Sequence, residues 1–248
     1  VQVVKTDGGA RDLPTLAEQI QFWDRWNTEY RTSDIHPFMA RQRDIAVDVA
    51  RHEQLRDARI LDVGCGTGWL GHALLPFGKV AGTDLSPSSI AFGRNAFPGV
   101  DLQCGNFLEL ALDGPFDLVV SADVISHVYD QARFVQRVAE LLRPGGVFLL
   151  MTQNSFVWNR SSHLQPVKPG QIRNWPSVRR VHALLARDFH VERITSIVPG
   201  GDRGILFWVT NRYVAGGMRR LLPGRDTWTH FLENMRLGRE LVYVARRR

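Results

Sequence analysis

Cysteine is scarce in this chain: Cys65 and Cys104 are the two among 248 residues. Two thiols cannot supply the disulfide framework of a small secreted scaffold, so a reducing compartment is expected. Long apolar runs are missing too, and none approaches the length of a membrane span. The opening stretch "VQVVKTDGGARDLP" lacks the apolar centre of a signal peptide. Together these absences predict a cytoplasmic protein with no membrane span. No repeat or low-complexity stretch is visible, which argues against a solenoid or a disordered linker.

What is present suits a globular chain. Apolar residues make up 44% and charged residues 23%, and this length buries a sizeable core without staples. The net charge is +6, and the sequence includes the run "ARRR". Such charge can attract phosphates or an anionic ligand. No basic run interleaves with aromatics over any length, however, so a solvated face is the plainer reading.

Periodicity divides the chain. From Leu13 to about Leu55 the pattern is helical: Ile20, Trp23, Trp26 and Tyr30 recur at spacings of three and four, and "SDIHP" breaks the run before a second helix from Phe38. "ARILDVG" then reads as a buried strand. After it, helices are predicted over Trp69–Leu75, Pro87–Ala96 (with Ser86 as N-cap) and Gln131–Leu142, the last stopped by "RPGG". Strands are predicted at Lys79–Thr83, Val100–Cys104, "FDLVVSA" and "VFLLMT". Nearly all-apolar strands alternating with helices indicate a parallel sheet covered on both faces. Beyond Thr152 a long connection precedes a helix at about Ser177–Arg187 and the strand "HVERITSIV". "GILFWVTNRYVAGGMRRLL" and "TWTHFLENMRLG" read as helical, with Ile205–Thr210 open to a strand reading, and "ELVYVAR" is a final strand.

The chemistry concentrates in "LDVGCGTGWLG", Leu61 to Gly71. Gly66, Gly68 and Gly71 match a dinucleotide fingerprint literally, but the match starts two residues late, because the glycine nearest the strand end is Gly64. In register the loop reads G-x-G-x-G. Asp62 lies beneath it, where a carboxylate repels a pyrophosphate and favours an ammonium. S-adenosylmethionine carries an ammonium and a sulfonium, and no phosphate. Asp84, at the end of the next strand, faces the same crevice and can accept ribose hydroxyls from either cofactor class.

"ILDVGCGTG", "VAGTDLS", "LQCGNF", "FDLVVSADVISHV" and "LLRPGG", in this order, resemble the small-molecule branch of the class I S-adenosylmethionine-dependent methyltransferases over about Arg59 to Thr152. The resemblance implies an α/β, Rossmann-like seven-stranded sheet, mostly parallel with the last strand antiparallel between its neighbours. Helices would flank the sheet, with an N-terminal helical cap and a C-terminal insertion. The expected organisation is a single domain over 1–248: cap 1–57, S-adenosylmethionine-binding core 58–152, and substrate-side elements 153–248 with an insertion at about 201–238. By the same resemblance, Asp62, Gly64, Cys65 and Gly66 would line the methionine end of the cofactor and Asp84 the ribose. Leu85 and Phe107 would flank the adenine. Asn106 stands where the family usually has Asp; it keeps a carbonyl acceptor for the adenine amino group but loses the charge. Ala122 would lie near the transferable methyl.

A hydroxyl acceptor benefits from a general base. His127 is one candidate, or else a structural part of its loop, and His163 is another; His36 sits beside the aromatic first helix. No His/Asp/Glu cluster has metal-ligand spacing. The place after the fourth strand reads "SADV" rather than an Asn/Asp-Pro-Pro-aromatic tetrad, so nucleic-acid acceptors are not expected. Trp23, Trp26, Tyr30 and Trp158 are candidate acceptor contacts, with Phe22, Phe156 and the aromatics of the insertion (Phe207, Trp208, Tyr213, Trp228, Phe231) as further cover. Arg160, Lys168, Arg173 and Arg203 are candidate partners for an acidic group, with a solvated face the plainer reading for each. The expected activity is methyl transfer to a hydroxyl or carboxyl oxygen of a hydrophobic or aromatic small molecule. The alternatives are N-methylation of a small amine or a non-catalytic, S-adenosylmethionine-binding regulator.

Overall fold

Two short antiparallel strands, β1 (Val3–Thr6) and β2 (Gly9–Asp12), precede the first helix, and the periodicity gave no sign of them. The computed structural model describes residues 3–6, 9–30, 37–221, 224 and 226–248. Helix α1 (Leu16–Tyr30) starts at a capping box: the Glu18 N–H donates to Thr15 Oγ1, and the Thr15 N–H donates back to Glu18 Oε2 at 2.7 Å. Helix α2 (Pro37–His52) opens on proline, which suits a first helical position.

Seven strands form the central sheet: β3 (Ala58–Val63), β4 (Gly78–Asp84), β5 (Val100–Cys104), β6 (Phe116–Ala122), β7 (Leu142–Gln153), β8 (Phe189–Pro199) and β9 (Gly238–Arg247). Their order is β5-β4-β3-β6-β7-β9-β8. β9 runs antiparallel to both β7 and β8, and the other neighbours pair in parallel. The expected seven-stranded architecture is therefore present. Alternate residues of the central strands feed two cores. Ile60, Leu118, Val120, Leu149 and Val242 belong to one, with α2, α3 (Trp69–Leu74) and α4 (Pro87–Ala96). Leu61, Val119, Phe148, Leu150 and Tyr243 belong to the other, with α5 (Gln131–Leu141) and α7 (Val178–Leu185). The short α6 (Ser155–Trp158) lies between β7 and the long connection.

Helix α5 ends just before "RPGG", as expected, and the run itself belongs to β7, which starts at Leu142 directly after α5; the register against β6 shifts across Arg143–Gly146. A bulge tolerates a proline that a regular ladder would not. The insertion is helical throughout its described part, as α8 (Ile205–Thr210), α9 (Arg212–Leu221) and α10 (Thr227–Asn234), so the strand reading of Ile205–Thr210 does not hold.

Candidate functional site

A cavity of about 690 Å3 opens beyond the carboxyl ends of β3, β4 and β6, a size typical of small-molecule sites. Its first wall is the β3–α3 loop. Gly64 has φ +71°, and a Cβ there would come within 2.1 Å of the Val124 side chain. Only a glycine meets both conditions. The Gly64 and Cys65 N–H groups donate to Thr83 O, which ties the loop to β4. Gly66 (φ +56°) donates its N–H to Asp84 Oδ2 at 2.8 Å, and a Cβ on it would meet no protein atom within 4 Å. The bare backbone thus faces open space.

Asp84 is held from two sides, since its Oδ1 also accepts from the Ser86 N–H at 2.8 Å. Asp62 is buried, and its Oδ2 has no hydrogen-bond partner among the described groups. Burial pushes its carboxyl up to about 7, the Asp84 charge adds to the rise, and the Gly71 N–H opposes it. A buried carboxyl poised near neutrality is a costly feature unless a cation completes it. This donor set fits an ammonium-bearing cofactor.

Every residue predicted to contact the cofactor lines this cavity: Asp62, Gly64, Cys65, Gly66, Asp84, Leu85, Asn106, Phe107 and Ala122. Two of them act differently from expectation. The Cys65 side chain belongs to the core, its sulfur lying over Gly82, and burial raises its thiol pKa. Its contribution to the cavity is therefore apolar and backbone surface. Asn106 Oδ1 accepts the Leu108 N–H at 3.2 Å, so one of its two lone pairs is already engaged in shaping the turn. Phe107 is buried, with its ring 5.2 Å from that of Phe134.

The opposite wall is assembled from distant segments. Gln19, Trp23, Trp26 and Asn27 lie on one face of α1 by their spacing and all line the cavity. Asp24 fastens that helix: its Oδ1 accepts from Ser86 Oγ (2.7 Å), the Ser88 N–H (2.9 Å) and Ser88 Oγ (2.6 Å) at the start of α4. Phe38 and Gln42 come from α2, and Trp158, Gln171, Ile172 and Trp175 from α6 and the connection. The Trp158 and Trp175 rings lie 5.4 Å apart. Neither indole N–H, both buried, has a partner among the described groups.

His127 joins the two walls. Its ring meets Trp23 edge-on at 4.6 Å, and its Nδ1 lies 2.7 Å from Ile172 O. A carbonyl only accepts, so the proton sits on Nδ1 and Nε2 keeps its lone pair. Burial lowers the imidazole to about 4, the Arg173 charge adds to this, and the Ile172 bond opposes it; the ring is neutral at pH 7. Beside it Asp123 adopts φ +63° after β6, held by its N–H to Met151 O and by Gln42 Nε2, which donates to its Oδ2 at 2.9 Å. Gln42 also donates to buried Glu240 at 2.7 Å.

The other candidates lie away from the cavity. His163 is exposed on the connection, its N–H donating to Ser161 Oγ, and is not among the lining residues. Phe22 packs against Gly170, and Phe156 is exposed beneath the Arg160 guanidinium. The insertion aromatics Phe207, Trp208, Tyr213, Trp228 and Phe231 lie outside the cavity, as do Arg160, Lys168, Arg173 and Arg203. The side chain of Tyr30 and all of His36 lie outside the described residues. Sequence reasoning missed Gln19, Gln42, Gln153 and Trp175. Gln19 carried a signal, four residues before Trp23; Gln42 had none, since its partners are 81 and 198 residues away. Among the described residues no metal-holding cluster exists, and no helix is long and apolar enough to cross a membrane.

Known proteins match this arrangement. A family described as a methyltransferase domain matches residues 61–150. A "Probable S-adenosylmethionine-dependent methyltransferase" of Mycolicibacterium smegmatis is 30% identical over 194 residues, covering 77% of this chain and 68% of that protein. A ubiquinone biosynthesis O-methyltransferase of Azorhizobium caulinodans is 32% identical over 149 residues, 55% of this chain and 59% of its own length. Among solved structures, the N-methyltransferase NodS of Bradyrhizobium japonicum, in complex with S-adenosyl-L-homocysteine, aligns with a TM-score of 0.61. It is 14% identical and covers 93% of this chain and 98% of that one, a likeness of fold.

Proposed function

The chain belongs to the S-adenosylmethionine-dependent methyltransferases, and from that premise we propose that it methylates an oxygen of a hydrophobic or aromatic small molecule. The observation that carries this reading is the second wall of the cavity. Trp23, Trp26, Phe38, Trp158 and Trp175 make it aromatic, and His127 sits in it, neutral, with Nε2 as a proton acceptor.

S-adenosylmethionine supplies a methyl group already activated on a sulfonium, so the protein's work is positioning and proton removal. Asp62 would meet the ammonium of the cofactor and Asp84 the ribose hydroxyls. Leu85 and Phe107 would enclose the adenine, with the remaining Asn106 Oδ1 lone pair accepting from its amino group. Ala122, small and at the end of β6, leaves room where the acceptor approaches. His127 Nε2 would take the proton of a hydroxyl as its oxygen is methylated. A carboxylate acceptor would need no base.

Asp123 favours a second reading. A carboxylate lining the cavity next to Ala122 attracts an amine, which would make nitrogen the acceptor atom. The two free thiols, Cys65 and Cys104, suit a reducing compartment.

Calorimetry with S-adenosylmethionine and S-adenosylhomocysteine tests the cofactor half; absence of binding to either would overturn it. A methyl-transfer screen over phenols, carboxylates and amines tests the acceptor half. Phenol turnover that falls roughly 100-fold in His127→Ala supports oxygen with His127 as base. Turnover confined to amines, and lost in Asp123→Asn, replaces it with the second reading. Cofactor binding with no turnover on any class indicates a regulator.

A further inference from the structure

The insertion between β8 and β9 does not build the cavity, yet it carries most of the large apolar side chains that the described surface exposes. Trp208 is 68% exposed, Tyr213 75%, Leu221 79% and Ile205 67%, with Phe231 and Met235 at least half exposed. Ordinary monomer surfaces scatter such residues singly. Here they fall on three short helices and the cap of the last, with α9 in contact with both α8 and α10.

This is a seated element rather than a loose loop. Leu206 is fully buried, Thr210 Oγ1 lies within bonding distance of both Gly201 O and Leu206 O, and Trp228 Nε1 donates to Val209 O. α10 packs on β8 through Leu232 and Glu233. At its start, the Asp202 and Arg203 N–H groups donate to Arg160 O, next to the stretch that brings Trp158 to the cavity. The base is fixed and the outward side is apolar.

Charge selects the occupant. From 201 to 238 the sequence holds six arginines, no lysine and three acids. Glu233 is buried and Asp202 is engaged by the Ser162 N–H and hydroxyl, which leaves Asp226 as the exposed acid against exposed Arg203, Arg220 and Arg236. A two-fold dimer through this face would set the same arginines against each other. A nucleic acid would meet the arginines but gain nothing from Ile205, Leu221 and Met235. Amphipathic rings such as Trp and Tyr, apolar chains and arginines together match the headgroup boundary of an anionic bilayer.

We propose that α8–α10 form a peripheral docking surface for an anionic lipid bilayer. The surface holds the enzyme at the interface without spanning it, with the cavity wall near Trp158 joined to the docked element. The inference rests on exposure and charge, and does not depend on which atom the enzyme methylates.

Flotation of the whole protein with vesicles tests it, using phosphatidylcholine alone and phosphatidylcholine mixed with phosphatidylglycerol. Expected is binding to the mixed vesicles that weakens with salt. The triple change Arg203→Gln, Arg220→Gln and Arg236→Gln should weaken it roughly 100-fold. Trp208→Glu with Leu221→Glu should weaken it at least about tenfold, while S-adenosylmethionine affinity stays at the wild-type value in both variants. That last readout certifies that they fold. No flotation with either vesicle, or equal flotation with both that ignores the arginine changes, overturns the proposal. So does a concentration-dependent dimer in light scattering that Trp208→Glu dissolves.

Discussion

In the cavity wall proposed to hold the cofactor, the lining residues sit on or just after the carboxyl ends of neighbouring strands. Asp62 to Gly66, Asp84 and Leu85, Asn106 and Phe107, and Ala122 follow β3, β4, β5 and β6 in turn. The wall proposed for the acceptor is collected from α1, α2, the β6–α5 turn, α6 and the connection, with Gln19 and Trp175 more than 150 positions apart. The first wall is dictated by backbone: left-handed glycines, N–H groups and two fixed carboxylates. The second is dictated by packing, and its parts are fastened by single side chains such as Asp24 and Gln42. A change in the first wall should therefore weaken cofactor binding, whereas one in the second should shift which acceptor fits.

The sharpest way to break that comparison is Gly64→Ala. Left-handed backbone strain and the Val124 contact together cost about 2 kcal/mol or more, and calorimetry should show cofactor affinity reduced by over tenfold. Val124→Ala in the same chain relieves the 2.1 Å clash, leaving the Val124 Cβ at 3.3 Å, but not the strain, so recovery should be partial. Wild-type affinity in Gly64→Ala would mean that the loop geometry is not what binds. Next comes Asp84→Ala, which strips the acceptors of the Gly66 and Ser86 N–H groups. At about 1.5–3 kcal/mol for such charge-assisted bonds, affinity should fall at least about tenfold, with melting temperature lowered as well.

Asp62 gives a pH test of intermediate size. Its folded value, about 7, lies above the ordinary 3.8. Between these the folded state keeps a proton that the unfolded chain has lost, so the ligand-free protein loses stability as pH rises from 3.8 to about 7. A cationic cofactor prefers the ionised carboxyl, and its affinity should tighten by up to about tenfold per pH unit toward 7, then level off. Asp62→Asn should flatten both profiles. A pH-independent wild type measured by titration calorimetry would remove Asp62 from the site.

The smallest expected effect belongs to the acceptor wall. Asp24→Ala releases α1 from Ser86 and Ser88, and a few-fold rise in acceptor KM with unchanged cofactor Kd should follow. Loss of cofactor affinity by more than that factor would show the two walls to be one unit.

The fold was legible because its signals are local. Apolar strands of five to seven residues, the N-cap at Ser86 and the glycines directly after β3 and β5 specify a βα alternation before any distant contact forms. The glycine spacing and Asp62 likewise expose the cofactor wall, since a backbone that must turn left-handed or stay bare admits few residues. β1 and β2 were not legible, being four residues each in a polar stretch. His127 was visible as a residue, but its tautomer and its neutrality come from Ile172 O and burial, 45 positions away.

His163 and the insertion aromatics show the limit from the other side. An aromatic on an amphipathic helix is apolar in any context, and nothing in "GILFWVT" tells whether Trp208 faces a cavity or the solvent. That depends on where β8 and β9 lie and on which face Leu206 anchors. The sequence by itself determined the βα alternation and, through the five motifs that resemble the family, the cofactor class, because strand, turn and glycine signals act over a short range of chain. Only the tertiary structure decided which of the aromatics, amides and histidines line the wall proposed for the acceptor, because that wall exists solely through contacts between segments far apart in the chain.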